Sequence, residues 1–139
     1  MQHTKHVTLA LCFALLVTSW PAAARTPLGR RYIVNGSFTV EPNNGKVFPF
    51  RVGRRGAVVA GRFRAQGGSG NDIEVFILDS DGLENFRNGH RVPTYYNSGR
   101  VTVGTINVTL SEGDYHLVFN NKFSALSNKA VTASVETRD

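Results

Sequence analysis

The segment from Gly113 to Val135 constrains the fold more strongly than any other part of the sequence. In its first half, GDYHLVFN, Tyr115, Leu117 and Phe119 occupy every second position, which is the period of a β-strand. In its second half, VTASVE, apolar and polar residues alternate strictly. Such a strand has one face for a core and one for water, as in an antiparallel sheet. The two strands are predicted to form the spine of a β-sandwich.

Short strands separated by Gly-rich turns continue this pattern through the rest of the chain. The run from Asn71 to Asp79 is apolar on both faces, which predicts a central, well-covered strand. Pro49 lacks an amide donor, so its run is predicted to be an edge strand or to contain a bulge. Residues 83–88 are compatible with one helical turn, and no long helix is expected. The predicted fold class is all-β, an antiparallel β-sandwich or jelly roll of about eight strands.

One predicted strand, Arg100–Leu110, changes phase partway along. Its apolar residues fall on odd positions at Val101 and Val103 but on even positions from Ile106 onward. A single extra residue near Gly104 would reconcile the two halves, because a β-bulge shifts the alternation by one position. The sequence therefore predicts a β-bulge near Gly104.

The first 24 residues have the pattern of a signal peptide. Lys5 gives a weakly basic start, Val7–Val17 is apolar, and Ala22-Ala23-Ala24 supplies small residues for cleavage, which we expect after Ala24. The protein is therefore expected to be secreted or periplasmic. The apolar run is too short for a bilayer core of about 30 Å, and no later segment is apolar enough, so no transmembrane span is expected. Residues 25–31 are expected to form a loose arm, followed by a single domain at residues 32–139.

Export would normally permit disulfides, yet Cys12 is the only cysteine and lies in the predicted leader. The mature domain is therefore expected to be held by packing alone. Asn35 and Asn107 begin acceptor triplets for N-glycosylation. These triplets would matter only in a eukaryotic source.

Charge is distributed unevenly along the chain. Residues 25–70 contain nine basic side chains and one acidic one, whereas residues 71–139 contain six and nine. Such asymmetry indicates either an anionic partner or basic and acidic strands that neutralise one another across the sheets. The arginines lack the interleaved aromatic residues of a nucleic-acid stacking platform, so no nucleic-acid partner is expected.

No catalytic constellation is recognisable in the sequence. After the leader, the only histidines are His90 and His116, and no serine belongs to a nucleophile elbow or a spaced Ser/His/Asp set. No pair of acids stands out as an acid–base couple. We therefore expect a protein that is not an enzyme and needs no cofactor.

A candidate metal site lies in the turn after the central strand. Asp79, Asp81 and Glu84 place three carboxylates within six residues, and Ca²⁺ prefers such oxygen ligands. The downstream glutamate of an EF-hand loop is missing, and Asp and Gly are also ordinary turn residues. Both interpretations, a calcium site and a plain turn, remain open at this point.

The longest irregular segment, Gly82–Gly99, and its flank combine positive charge with tyrosine, which is typical of a binding rim. The expected partner is a protein or an anionic glycan. In the alternative, a carbohydrate- or lipid-binding module, Tyr95 and Tyr96 would stack on the ligand. The same residues would also serve simply to cover one end of a sandwich. The candidate binding residues are Arg87, His90, Arg91, Tyr95, Tyr96 and Arg100.

The pattern Gly-x-Tyr-x-Leu-x-Phe-x-Asn-x-Phe-Ser, from Gly113 to Ser124, resembles the end of a GOLD domain. This β-sandwich is best known from transmembrane cargo receptors of the early secretory pathway. The runs VAGRF (59–63), GG (67–68), DIEV (72–75) and DSDG (79–82) are similar to its middle strands. Residues 38–50 are compatible with its first two strands and residues 129–131 with its last. The resemblance covers most of the chain after the leader and implies a protein-interaction domain without catalysis.

The chain departs from the receptors at a cysteine pair. The receptors pair a cysteine in the second strand with one in a Tyr-x-x-Cys-Phe strand, and the corresponding positions here are Val47, or a close neighbour, and Val118. The resemblance implies that Val118 is buried and lies close to the Val47 segment across the sandwich. A buried valine contributes about 1.5–3 kcal/mol, which approaches the about 2–4 kcal/mol of a typical disulfide. The receptors' coiled coil, membrane span and coat signals have no counterpart in the sequence, so their trafficking role is not implied.

Overall fold

The structure is a computed structural model that describes residues 29–139. The predicted signal peptide and residues 25–28 of the predicted arm lie outside the described residues. The described part is nearly all β, which confirms the predicted fold class. Its elements, in chain order, are β1 (Arg30–Val40), β2 (Gly45–Val52), β3 (Ala57–Gln66), β4 (Ile73–Asp79), α1 (Ser80–Arg87), β5 (Tyr96–Val101), β6 (Val103–Leu110), β7 (Gly113–Asn120) and β8 (Lys129–Arg138).

The strands form two four-stranded antiparallel sheets that pack face to face. Sheet A has the order β1-β8-β3-β6, and sheet B has the order β2-β7-β4-β5. The two strands of the predicted spine, β7 and β8, are interior strands of different sheets. The predicted central strand, β4, is also interior, and β2, which contains Pro49, lies at an edge as predicted.

The core between the sheets is centred on Phe119, which is fully buried. The rings of Phe38, Phe48 and Phe63 meet its ring edge to face, with centroid distances of 5.0, 5.9 and 5.9 Å. This geometry is the one that aromatic quadrupoles favour. The alternating residues of β3, β4, β7 and β8 supply most of the remaining core, as the period-2 pattern predicted.

The structure has no β-bulge at Gly104, because β6 pairs with β3 through this residue without a register shift. The chain instead crosses from sheet B to sheet A between β5 and β6. Thr102 lies at the crossing, and its carbonyl accepts a hydrogen bond from the Ala65 amide at 2.8 Å. The inward-facing positions are odd at Val101 and even at Ile106, since these residues reach the same core from opposite sheets. The bulge prediction is wrong because the phase slip marks a change of sheet.

Two element boundaries also differ from the sequence predictions. Strand β1 begins at Arg30, and Arg30 and Arg31 pair with Arg138 and Thr137, so these two residues are not part of a loose arm. Their pairing partner is the last strand, which is distant in sequence and leaves no local signal. The single helical turn expected at residues 83–88 is an eight-residue helix that begins at Ser80.

Val118 is buried, as predicted, and lies close to Val47. The two residues are direct cross-strand partners within sheet B, so the expected contact across the sandwich is wrong in its geometry. Val118 faces away from the main core, because Leu117 and Phe119 on the same strand face toward it. A second, smaller core therefore exists on the outer side of sheet B.

Candidate functional site

Helix α1 covers the outer face of sheet B and builds the surface on which most candidate residues lie. Leu83 and Phe86 of the helix pack on Phe76, Leu78 and Val118 of the sheet. The rings of Phe76 and Phe86 meet edge to face, at a centroid distance of 4.9 Å and an interplanar angle of 71°. The helix is thereby fixed on the sheet, and so are the residues at its two ends.

Asp79 caps the N-terminus of α1. Its Oδ1 accepts a hydrogen bond from the Gly82 amide at 2.7 Å, which satisfies one of the free amides of the first turn. Its Oδ2 accepts a hydrogen bond from the Tyr95 hydroxyl at 3.2 Å. Both carboxylate oxygens therefore have partners within the protein.

The structure gives the calcium interpretation no support. Asp81 lies in the first turn of α1, where an acidic side chain interacts favourably with the helix dipole. Glu84 is exposed on the same helix. Within residues 29–139, no three His, Cys, Asp or Glu side chains come together in a way that would hold a metal ion.

Tyr95 is 48% exposed and is held from three sides. Its amide donates to the Ile77 carbonyl at 2.9 Å, and its ring meets the ring of Tyr115 edge to face at 5.1 Å. The hydrogen bond to Asp79 raises the pKa of the Tyr95 hydroxyl, and desolvation adds to the shift. Tyr95 is thus a positioned, partly exposed aromatic side chain beside the start of α1.

Tyr96 differs from its neighbour, because it is half-buried and packs against the main core. Its hydroxyl donates to the Thr105 carbonyl at 2.8 Å. Burial raises the pKa of this phenol. Tyr95 and Tyr96 therefore do not form a pair of open stacking rings, which removes the feature that favoured the carbohydrate- or lipid-binding alternative on this loop.

A groove of about 330 Å³ lies at the opposite end of α1. His90 and Arg100 are the two predicted binding residues that it brings together. Arg100 on β5 lies opposite Glu74 on β4, whereas Tyr95 lies beside Asp79. Asp79 comes five residues after Glu74 on the same strand, which corresponds to about 17 Å at the usual rise per residue. The predicted rim is thus divided between two places. The groove is lined by Glu74, Phe86, Gly89, His90, Arg100, Asn120, Lys122 and Phe123.

His90 owes its position to the way in which α1 ends. The His90 amide donates to the Asn85 carbonyl at 3.0 Å, and the Gly89 amide donates to the Phe86 carbonyl at 3.1 Å. Gly89 has a φ of 80°, which side chains rarely allow. These are the two hydrogen bonds of a Schellman motif, which ends a helix and turns the chain sharply. The motif places His90 at the wall of the groove.

Each cation of the groove lies on an aromatic ring. The guanidinium carbon of Arg100 is 4.1 Å from the centroid of Phe123, and the ammonium of Lys122 is 4.3 Å from that of Phe86. Lys122 also donates to the Phe86 carbonyl at 3.4 Å. These contacts fix two positive charges beside the groove, because a cation is attracted to the face of an aromatic ring.

The groove also contains one carboxylate. Glu74 Oε2 accepts a hydrogen bond from Asn120 Nδ2 at 2.8 Å, and Asn120 Oδ1 accepts one from the Lys122 amide at 3.0 Å. Asn120 therefore ties β4 to the loop that carries Lys122. With Arg100 and Lys122 against Glu74, the groove has a positive balance.

Arg87 and Arg91 are exposed, and among the described residues neither lines the groove. Sequence reasoning missed Lys122 and Phe123, which lie more than twenty residues beyond the predicted loop. Their signal is the Lys-Phe pair directly after Asn120-Asn121, where a strand ends; Lys122 is exposed and Phe123 is half-buried. Their partnership with α1 depends on the tertiary fold and has no signature in the sequence.

The fold of residues 29–139 defines a class of protein: a β-sandwich of two four-stranded sheets with one helix packed on the outer face of one sheet. The chain belongs to the emp24/gp25L/p24 family/GOLD, whose family model matches residues 36–139. This match spans the sandwich from within β1 to the end of β8 and confirms the GOLD-like resemblance of the sequence. No curated protein matches the chain significantly. Within residues 29–139, no helix has the length and apolar character needed to span a membrane.

Proposed function

We propose that this chain is an exported, non-catalytic module that binds a protein partner through the groove beside the end of α1. The observation that carries the proposal is the pair of cations held on aromatic rings, Arg100 on Phe123 and Lys122 on Phe86. Long cationic side chains normally lose rotamer entropy when they bind. Side chains that are already ordered lose less, so the groove is prepared for an anionic partner.

The chemistry of the groove favours an extended acidic peptide segment. Arg100 retains guanidinium donors that suit a carboxylate, and Lys122 adds a second charge nearby. The rings of Phe86 and Phe123 add apolar contact, and arginine and aromatic residues are common among the residues that dominate interface energies. Glu74 is engaged by Asn120, which lowers its ability to repel an acidic partner.

Two further observations support the wider proposal. The family match supports a binding role, since the receptors that the sequence resembles use this domain for interaction rather than for catalysis. The leader-like pattern of residues 1–24 supports export. N-terminal sequencing of the mature protein from its source tests the export step, and a mature chain that begins at Met1 would contradict it.

The groove is tested with a peptide array of acidic, neutral and basic sequences of equal length. We expect the mature chain to bind acidic members and Arg100→Ala/Lys122→Ala to lose at least about tenfold in affinity, because hydrogen bonds to charged groups are among the stronger ones. The matched control is Arg54→Ala/Arg55→Ala, which removes two exposed arginines from the turn between β2 and β3. This control should bind as the unmodified chain does.

A photo-crosslinking amino acid at His90 extends the test to the natural partner. We expect it to label a defined exported protein, and the labelling should be competed by the best acidic peptide. Acidic peptides that bind both double variants equally would show attraction by net charge alone and would overturn the assignment of the groove. The absence of any preference for acidic peptides would overturn it as well.

A further inference from the structure

The outer face of sheet A contains a second concave surface, separate from the groove. Helix α1, the only helix of residues 29–139, lies on sheet B, and the outer face of sheet A carries side chains of β1, β8, β3 and β6. Tyr32 and Val103 on this face are 52% and 59% exposed. The small residue Ala60 lies outward at the middle of the face, where a trough of about 450 Å³ is found.

Gly61 is a core-facing position of β3, and its backbone forms part of the floor of this trough. An added Cβ would lie 2.6 Å from the Val135 Cα and would overlap the Ser134 carbonyl, so the position admits no side chain in this backbone. The neighbouring strands therefore come close together without a side chain between them. The trough is a consequence of the sheet itself and is not formed by loops.

The register of sheet A places arginines around the trough. Arg62 and Arg64 point outward from β3, because the alternate residues Phe63 and Ala65 are buried in the core. Arg30 and Arg138 are direct partners on β1 and β8. Arg30, Arg62 and Arg138 line the trough, and Arg64 lies one outward position beyond Arg62.

A buried carboxylate orients two of these arginines. The side chain of Glu136 is 7% exposed, and its Oε2 and Oε1 contact the Nε atoms of Arg30 and Arg138 at 3.2 and 2.6 Å. Both arginines use Nε for this contact, and their side chains are 60% and 52% exposed, so each guanidinium stays accessible to a ligand. A guanidinium fixed in this way is prepared for a second, planar or tetrahedral anion.

The positive charge of the face exceeds what its acid neutralises. Among the described residues that line the trough, Glu136 is the only acidic one, and it lies between two arginines. Within residues 29–139, neither Arg62 nor Arg64 forms an ion pair. The basic surplus of residues 25–70 is therefore only partly neutralised between strands, and part of it is gathered on this face.

We propose that the trough binds an acidic glycan, a sugar chain that carries carboxylate or sulfate groups. The arginines supply donors for the anionic groups. The hydroxyls of Thr105 and Ser134, which line the trough, supply hydrogen bonds for sugar hydroxyls. The exposed ring of Tyr32 at the edge offers an apolar surface with a polar tip, which suits the face of a sugar ring. A concave floor fits a chain better than it fits the plane of a membrane.

The test compares a sulfated glycan (heparin), a carboxylated glycan (polygalacturonate), neutral dextran and vesicles of phosphatidylserine in phosphatidylcholine. Arg62→Gln/Arg64→Gln should weaken binding of at least one acidic glycan by about tenfold or more, because two charge-assisted contacts are lost. Arg54→Gln/Arg55→Gln changes the net charge equally, away from the trough, and should leave that affinity unchanged. The two glycans distinguish sulfate from carboxylate as the preferred group.

Tyr32→Ala tests the contribution of the aromatic ring to glycan affinity, because this substitution leaves the charge of the face unchanged. It should weaken glycan binding without altering the salt dependence of the affinity, which reports the number of ionic contacts. Equal losses in the two double-arginine variants would overturn the proposal, since they would show attraction by net charge. Vesicles bound more tightly than both glycans, or no binding of either glycan, would also overturn it. The groove variants are not part of this test, so its failure leaves the peptide-binding proposal standing.

Discussion

Val47 and Val118 lie directly opposite one another in the β2–β7 pair, on the face of sheet B that α1 covers. The sequence resemblance aligns these positions, or a close neighbour of Val47, with the cysteine pair of the cargo receptors. Opposed residues of an antiparallel pair have Cβ atoms about 4.5–5.5 Å apart, whereas a disulfide needs about 3.5–4.5 Å. A small approach of the two strands would therefore suffice for a covalent link.

The double variant Val47→Cys/Val118→Cys is expected to form an intramolecular disulfide in the mature chain under oxidising conditions. The link closes a long loop, and a disulfide typically stabilises a protein by about 2–4 kcal/mol. The loss of two valine side chains from the outer core offsets part of this gain. Urea unfolding with and without reductant measures the difference. The single variant Val118→Cys is the control and should show no effect of reductant; free thiols in the oxidised double variant would contradict the predicted pairing.

Asn121 is a fully buried polar residue that ties the end of β1 to the loop between β7 and β8. Its Nδ2 donates to the carbonyls of Val40, Glu41 and Ser127 at 3.3, 3.1 and 2.9 Å. Asn121→Ala should lower the free energy of unfolding by about 2–3 kcal/mol or more, because buried carbonyls lose their donor. Chemical denaturation checks the value. Asn128→Ala, at an exposed position in the same loop, should change stability by no more than about 0.5 kcal/mol; equal effects would contradict the role of Asn121 as a buried tie.

The sequence predicted the strands because their burial is one-sided and therefore periodic. Tyr115, Leu117 and Phe119 face the main core as the alternation indicates. Asn121 has the local pattern of a turn residue at the end of a strand, since nothing near it in the sequence shows that its amide reaches carbonyls some 80 positions away. A polar residue that is buried by tertiary contacts has the same local pattern as an exposed turn.

The candidate site was predictable only in its local part. The sequence indicated Tyr95, Arg100 and His90 by their composition, but the loop divides between the two ends of α1. Asp79 followed by an acid at position 81 is an N-cap signal that would have located the start of the helix. The pairing of Lys122 with Phe86 had no such signal, because these residues are 36 positions apart.

The phenol of Tyr95 should impart a pH dependence to stability in alkaline solution. Its folded-state pKa is raised, chiefly by the hydrogen bond to Asp79. The stabilisation of the neutral phenol is fully present below the unfolded-state pKa of about 10 and is lost as the pH rises through the higher folded-state value. Tyr95→Phe should therefore show a shallower loss of stability above that pH. Urea midpoints across the alkaline range measure it.

Asp79→Asn separates the charge of Asp79 from its role as a cap. Asparagine caps helices about as well as aspartate, so α1 should persist while the pKa of the Tyr95 phenol falls. Ultraviolet titration follows the ionisation of the tyrosine phenols. Comparing the unmodified chain with Tyr95→Phe and Asp79→Asn identifies which phenol has its pKa raised by Asp79. Tyr96 also ionises at raised pH, because burial raises its pKa. An alkaline titration that is identical in the unmodified chain and Asp79→Asn would contradict the assignment to the hydrogen bond.

Gly104 and Phe63 are direct partners on β6 and β3, and the ring of Phe63 lies over the glycine. An added Cβ at Gly104 would come within 2.6 Å of Phe63 Cε1, so Gly104→Ala should destabilise the fold by about 1–3 kcal/mol, as overpacked cores do. Phe63→Leu shortens the ring side chain and should lessen the effect of Gly104→Ala. A double-mutant cycle, measured by denaturant unfolding, isolates this coupling between the two positions. If Gly104→Ala costs the same in both backgrounds, the glycine is required for some property of the backbone and not for the space that Phe63 occupies.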